Sequence, residues 1–536
     1  MPLRPRRGGR LNRLGRVLAT SAAVVLLAGS ACTKDEDGAK PGGSKTPTVF
    51  RAGVVRPTSL DPARARSIDE LLLVDQLFDS LTVADPETLE PVPSIAESFV
   101  ATPDQLHWDF TLRSSARFSD GTPITSADVK ATLDRIARKD SDSSVADLLE
   151  SVTGYKEVAI DGAAGELTGV VATAPNVVRI DLDVPLSVLP AILANPAFGV
   201  LPKGAADANA LSEPLVGSGP YRVSSQSTDR ISMVAVAGTV VKSKRLDFLL
   251  FDDKAAAFDA FVANLVDWSE VPADRVGEAG KRFGKTLFRP YLAELFYAFN
   301  LRNPKFADVR FREAVVRAVD RKSIIAEVYD DTVEPMDGLV VDGLSGHQDD
   351  PCGGRCGFDP DRAKALLAEI VAGGGAVPEI QIDFDDDKTQ VGVAEAIRDD
   401  LAAVGVTATL RPKPLAEYQQ FAVTGEQELF RLGWILPYPS ADGVLSPLFL
   451  TGFPNNLTGF SSAVVDERLQ AARAEPDLAR RVEHFKAAEQ TVMAELPIVP
   501  IAQFVVHSVA SPRVKGLRVT AGGTFDGRAV FLGPER

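Results

Sequence analysis

The residues Glu379-Ile380-Gln381-Ile382-Asp383-Phe384 alternate polar with apolar side chains, and the alternation returns at Val406-Thr407-Ala408-Thr409-Leu410. A period of two puts every second side chain on one face, the pattern of a strand with one buried side. Between the two runs, Val393, Ile397, Leu401 and Val404 recur at spacings of three or four, so they share one face of a helix. Strand, helix and strand in that order form a βαβ unit, whose crossover lets the two strands run parallel. A mixed α/β fold with a partly parallel sheet in the second half is expected.

The same reading extends outward. Asp359-Pro360 opens a helix carrying Ala363, Leu366, Leu367 and Ile370, and Asp320 separates two short helices around Val315, Val319, Ile324 and Val328. Nearer the start, Leu106-His107-Trp108-Asp109-Phe110-Thr111-Leu112 alternates as a strand. Thr125 with Asp128 three residues later is a helix cap, after which Val129, Leu133 and Ile136 lie on one face. No repeat of fixed period is present. A chain of 536 residues exceeds one ordinary core, which at roughly 100 to 200 residues per domain implies two or more lobes. With 45% hydrophobic and 24% charged residues, it has the composition of a soluble globular protein.

The N-terminus points to export. Arg4, Arg6, Arg7, Arg10, Arg13 and Arg16 precede an apolar run over residues 17–27, which at 11 residues is too short for the roughly 20 that span a bilayer. It suits the apolar region of a signal peptide over residues 1–31. The small residues Ala28-Gly29-Ser30-Ala31 then lead to Cys32, an arrangement that resembles a bacterial lipobox with Cys32 as the lipidated first residue, although Gly29 stands where such motifs usually have an apolar side chain. Residues 32–48 mix Lys, Asp, Glu, Gly, Pro and Ser with almost nothing apolar, the composition of a flexible tether. The remaining cysteines, Cys352 and Cys356, flank Gly353-Gly354-Arg355 in a loop that permits a local disulfide, with free thiols or a metal site as the alternatives.

Signatures of catalysis are missing: there is no G-x-S-x-G elbow, no H-E-x-x-H, no phosphate-binding loop and no dinucleotide fingerprint, so no enzyme activity and no cofactor is expected. Asp385-Asp386-Asp387 could bind a hard cation but reads more simply as a solvated turn after a strand. The formal net charge of -15, more negative still without the basic leader, argues against a nucleic-acid partner.

Several segments, taken in order, resemble the bacterial extracellular solute-binding proteins that include dipeptide, oligopeptide and nickel binders of ABC importers. Thr58-Ser59-Leu60-Asp61-Pro62 and Leu77-Phe78-Asp79-Ser80-Leu81 match the family's opening strand and first helix. Phe118-Ser119-Asp120-Gly121-Thr122-Pro123 with Asp128-Val129 reproduces its F-x-D-G-x-P-x-x-x-x-D-V signature, the most specific motif of the chain. Gly217-Ser218-Gly219-Pro220-Tyr221, Phe299-Asn300, Ala318-Val319-Asp320-Arg321, Gly433-Trp434, Tyr438-Pro439 and Leu496-Pro497-Ile498-Val499-Pro500 complete the order. Most of these have a structural reading as well, Asp120-Gly121 as a tight turn and Gly217 and Gly219 as a bend.

The resemblance implies an α/β periplasmic-binding-protein-like fold of two lobes joined by hinge strands, with the ligand cleft between them. Residues 49–290 would form lobe I, residues 291–501 lobe II, and residues 502–536 would return to lobe I. It implies capture of a peptide or peptide-like solute for the permease subunits of an ABC importer, by a monomer held to the outer face of the cytoplasmic membrane through its lipid. A metal-chelate binder and a non-transporting sensor of the same fold are the alternatives. The ligand-binding set expected from matching positions is Trp434, Arg431, Tyr438, Asp442, Ser59, Leu60 and Asn300. Trp434 would cover the ligand and Arg431 would pair with a ligand carboxylate through its planar fork. Peptide binders of the family place Asp three residues after the tryptophan, against the ligand's ammonium group; here that residue is Pro437, which carries no charge. Asp442 is the candidate substitute, and a blocked, cyclic or non-peptide ligand gains weight.

Overall fold

In the computed structural model, which describes residues 49–534, β1 (Phe50–Val55) leads through a short turn into α1 (Ile68–Leu77). The leader, Cys32 and the tether lie outside the described residues. Ser67 and Glu70 start α1 with a capping box, the Ser67 hydroxyl accepting from the Glu70 amide and the Glu70 carboxylate from the Ser67 amide. A small hairpin follows, β2 (Thr82–Ala84) against β3 (Pro91–Pro93).

β4 (Ala96–Ala101), β5 (His107–Leu112), β6 (Val170–Ala174) and β7 (Val177–Asp181) form an antiparallel sheet in the order β4-β5-β7-β6. The turn before α2 (Ser126–Ala137) is held by Asp128, whose carboxylate accepts from both the amide and the hydroxyl of Thr125. Val129, Leu133 and Ile136 of α2 are buried with Trp108 and Phe110 of β5 in one apolar cluster. Gly121 adopts a φ of 91° in the preceding turn, and the Asp120 carboxylate accepts from the Thr122 amide at 2.9 Å. A left-handed residue is needed there, which is what the Asp-Gly pair supplies.

The main sheet contains β1 with β8 (Tyr221–Gln226), β9 (Arg230–Ala235), β10 (Arg245–Phe251), β11 (Trp268–Glu270), β12 (Phe288–Phe299), β13 (Glu334–Pro335), β14 (Ile380–Asp385), β15 (Ala408–Lys413), β16 (Leu429–Ile435) and β17 (Ile498–Ala510). Its order is β15-β14-β16-β12-β17-β11-β1-β10-β9-β8, with β13 beside β17. The expected βαβ unit is present: β14 and β15 pair in parallel, and the helix Lys388–Val404 crosses between them with Val393, Ile397 and Leu401 fully buried. Asp359 and Asp320 cap the helices Pro360–Ala372 and Arg321–Val328, as their positions in the sequence imply.

Two long strands join the halves of this sheet. β17 pairs with β12 along most of its length, from Ile498 opposite Ala298 to His507 opposite Phe288, and its last residues pair with β11, Ala510 opposite Trp268. The first core gathers Phe50, Leu73, Phe248 and Trp268 together with Phe525 from the end of the chain; the second gathers Leu295, Phe296, Phe299, Ile382, Phe430 and Val499. The Phe525 ring lies 5.7 Å from Phe50 and 5.0 Å from Trp268, so the C-terminal segment returns to the first half. The architecture is two-lobed, with β12 and β17 as the hinge strands. Cys352 and Cys356 are joined by a disulfide, both buried in the second core.

Candidate ligand-binding cleft

A cleft of about 760 Å³ opens between the lobes. That is room for a drug-sized solute, since ligand sites run from about 300 to 1,000 Å³. One wall comes from α1. Leu71 and Asp75, four residues apart, fall on one face of α1, and together with Asp79 just beyond its end they line the cleft. The β2–β3 hairpin extends this wall with Val83 and Val92, and the C-terminal segment adds Asp526 and Arg528. The facing wall is residues 435–439, the end of β16 and the loop after it, with Tyr291 and Leu292 of the hinge strand beside it.

Glycine and a buried amide hold the charged wall together. A Cβ on Gly217 would stand 2.0 Å from the Leu77 carbonyl oxygen and one on Gly219 2.6 Å from the Phe78 amide nitrogen, so only glycine lets this bend close over the end of α1. Ser218 then accepts from the Asp79 amide and donates to the Asp79 carbonyl, both at 3.0 Å. Gln76, fully buried, donates to the Phe525 carbonyl at 3.0 Å and accepts from the Gly527 amide at 2.9 Å. This clamp lays the C-terminal segment along α1 and brings Asp526 and Arg528 beside Asp75 and Asp79.

Within that cluster Arg528 pairs with Asp79 and, at 3.4 Å, with Asp526. Burial works against the Arg528 charge, but Asp79 and Asp526 outweigh it and hold the guanidinium above its ordinary pKa. Burial raises Asp79, with Arg528 opposing. Among the described residues no cation is bonded to Asp75, and burial, opposed by Arg528 and reinforced by Asp526 and Asp79, pushes its carboxyl up to about 7.

The facing loop carries no charge between Ile435 and Pro439. Ile435 is 65% exposed, its side chain bare toward the cleft. Tyr438 lines the cleft but sinks its ring into the apolar cluster of the first lobe, while Leu436 belongs to the core of the second. Asn195 donates to the Pro437 carbonyl at 2.9 Å, a bond between the two sides.

The other residues expected at the site fall in different places. Trp434 precedes the loop on β16; its ring packs on the second core and its Nε1 donates to the Gly443 carbonyl at 2.6 Å. Arg431 stands on the same strand, 3.5 Å from the Asp385 carboxylate. Asp385 is therefore buried, and only Asp386 and Asp387 of that triplet are exposed in the solvated turn the sequence suggests. Asp442 is fully buried below the loop, accepting from the Tyr438 hydroxyl at 2.9 Å and the Ser446 hydroxyl at 2.6 Å, with Arg473 at 3.3 Å. It cannot turn toward a ligand at Pro437 without stranding Arg473. Asn300 spends its amide on the Gly425 and Gln427 carbonyls, Ser59 caps the amide of Asp61, and Leu60 packs on the first core. None of these three lines the cleft.

Sequence reading missed Asp75, Asp79, Asp526 and Arg528. A signal for Asp75 was present: it is the one acid between Leu71 and Leu77, directly after the apolar run Leu71-Leu72-Leu73-Val74, in a helix that is mostly buried. No comparable signal marks Asp526 and Arg528, about 450 residues away. Among the described residues no group of three or more His, Cys, Asp or Glu is disposed to hold a metal ion.

Residues 90–456 match the family model of bacterial extracellular solute-binding proteins, family 5 middle. The periplasmic murein peptide-binding protein MppA of Escherichia coli K12 is 27% identical over 484 residues, 86% of this chain and 88% of that protein. The oligopeptide-binding protein OppA of Bacillus subtilis 168 is 22% identical over 532 residues, 94% of this chain and 97% of its own. The solved unliganded open form of MppA shares the fold, with a TM-score of 0.81 at 24% identity over 91% of this chain and 98% of that one.

Proposed function

Because the chain belongs to the bacterial extracellular solute-binding proteins of family 5, we propose that it captures a peptide or peptide-like solute outside the cell and delivers it to the permease subunits of an ABC importer. The observation that carries this reading is the cleft of about 760 Å³ whose lining is drawn from both lobes and from the hinge strand β12. A ligand that touches both walls only when they approach favours the closed arrangement by its differential affinity, and the importer reads that closed shape. No bond is made or broken.

In this reading residues 49–290 with 502–536 form one lobe and residues 291–501 the other. Residues 1–31 are the export signal, Cys32 carries the lipid that anchors a monomer to the membrane, and residues 32–48 tether it. Trp434 and Arg431 act on the ligand through the loop that β16 supports, Tyr438 contacts it directly, and Asp442 sets the position of Tyr438. Native mass spectrometry of the protein purified from its own host tests the proposal. A retained mass that fragments as a peptide is the expected result, and a retained metal chelate or sugar would overturn it.

A further inference from the structure

Among the described residues, Asp75 is the one acid of the charged wall whose carboxylate holds no cation. Asp79 is taken by Arg528, and Asp526 accepts from the Arg528 amide at 2.8 Å and from its guanidinium at 3.4 Å. The Asp75 carboxylate has only the Gln76 amide at 3.5 Å, the longest contact of an amide that already donates to the Leu72 and Phe525 carbonyls at 3.0 Å. Three carboxyls against one guanidinium leave the wall net negative. Opposite stand Ile435, Pro437 and Pro439, and beside it Val83, Leu89 and Val92, none able to answer that charge. Arg66, the remaining cation at the rim, is tied to Asp142 at 2.8 Å and to the Arg64 carbonyl.

We propose that the cleft selects ligands with an ammonium group next to an apolar portion, and that Asp75 on α1 is the acceptor for that ammonium. The inference rests on the reading of the cleft as a solute-capture site and adds the class of solute. It replaces the acid missing at Pro437 with one on the other lobe: the ammonium docks on the α1 wall while its apolar neighbour lies against Ile435 and Tyr438. A charge-assisted bond in a half-buried site is stronger than a neutral one, and an organic ammonium satisfies a single carboxylate where a metal ion asks for several ligands.

The surroundings of Asp75 add a proton to the equilibrium. With its carboxyl pushed up to about 7 among Asp79, Asp526 and Arg528, part of the free protein carries Asp75 protonated at neutral pH. An arriving ammonium favours the ionised form and expels that proton, so affinity for a cationic ligand falls as the pH drops below 7.

Titration calorimetry of the full chain at pH 8 tests the assignment, with trileucine against N-acetyl-trileucine and phenylpropylamine against phenylpropanol as probes. Wild type is expected to bind the amine of a pair at least tenfold tighter than its neutral counterpart, and Asp75→Asn to abolish that preference while leaving the neutral compound within twofold. Asp75→Glu should restore part of it. A preference that survives in folded Asp75→Asn overturns the assignment to Asp75. Equal binding of trileucine and its acetylated form by wild type overturns cation selectivity and leaves peptide capture standing. Binding of phenylpropylamine through Asp75 with no binding of either peptide supports the inference and overturns the peptide reading. Failure of both amines to bind overturns the inference.

Discussion

Across one cleft, the end of β16 and the loop after it present Ile435, Pro437 and Pro439, whereas α1, the turn after it and the C-terminal segment present Asp75, Asp79, Asp526 and Arg528. The apolar wall is anchored from behind, by Trp434 on the second core and by Tyr438 in the apolar cluster of Trp108 and Phe110. The charged wall is anchored from within, by Gln76 and by the Arg528 pairs. Two acids show what the difference means. Asp442 lies under the apolar wall with every oxygen engaged and no face toward solvent, so its charge serves the fold. Asp75 lies on the charged wall with its charge unanswered, so it remains free to serve a ligand.

The largest effect should come from the acid that serves the fold. Asp442→Ala leaves Arg473 buried without its partner, and breaking a buried pair from one side costs about 3 to 5 kcal/mol. Urea unfolding measures this, and a loss under 1 kcal/mol would dissolve the contrast between the two acids. Next, Trp434→Ala should cost about 2 kcal/mol of stability, because a partly buried ring and its bond to Gly443 are both lost. It should also weaken amine and acetylated ligands equally, since it loosens the apolar wall rather than removing a charge. Selective loss of one ligand form in calorimetry would mean that Trp434 meets the ligand itself.

A smaller change is expected from Pro437→Asp, which places a carboxylate opposite Asp75 and keeps the backbone carbonyl that Asn195 binds. Affinity for free-amine peptides should rise by about 1.5 kcal/mol, the scale of a hydrogen bond to a charged group. No gain would put position 437 out of the ammonium's reach.

A last effect, on stability alone, belongs to a group outside the cleft, His507 on β17. Burial, helped by Lys285 and Lys254, lowers its pKa from the ordinary 6.5 to about 4. Its contribution to stability is therefore complete above pH 6.5 and is lost as the pH falls toward 4, because the unfolded chain takes up the proton first. His507→Gln should flatten that part of the stability curve and leave the pH dependence of amine binding unchanged. A shift in the binding profile would show that hinge and cleft titrate together.

Much of the fold was legible because the interactions that build it are local. The alternation at 379–384 and 406–410 became the parallel pair β14 and β15, and Asp128, Asp320 and Asp359 sit at the helix starts their spacing implies. The site was less legible because one residue type has several uses. Asp442 and Arg431 look like free charges in sequence, yet Arg473, 31 residues beyond Asp442, and Asp385, 46 residues before Arg431, engage them in the fold. Asp75 faces a cleft whose other charges, Asp526 and Arg528, reach it only through the C-terminal segment that Gln76 holds along α1.

What the amino-acid order determined by itself is the alternation of strands and helices, the caps and turns, the family signature around Asp120 and Gly121, and the loss of an acid at Pro437. Each depends on neighbours a few residues apart, whose geometry follows from backbone periodicity. The tertiary structure alone decided which charges meet: it drew Asp526 and Arg528 across the chain to α1, buried Asp442, and left Asp75 open on the cleft. The electrostatic state of a carboxyl depends on its burial and on the charges within a few ångströms, and at that range proximity in space is unrelated to proximity in sequence.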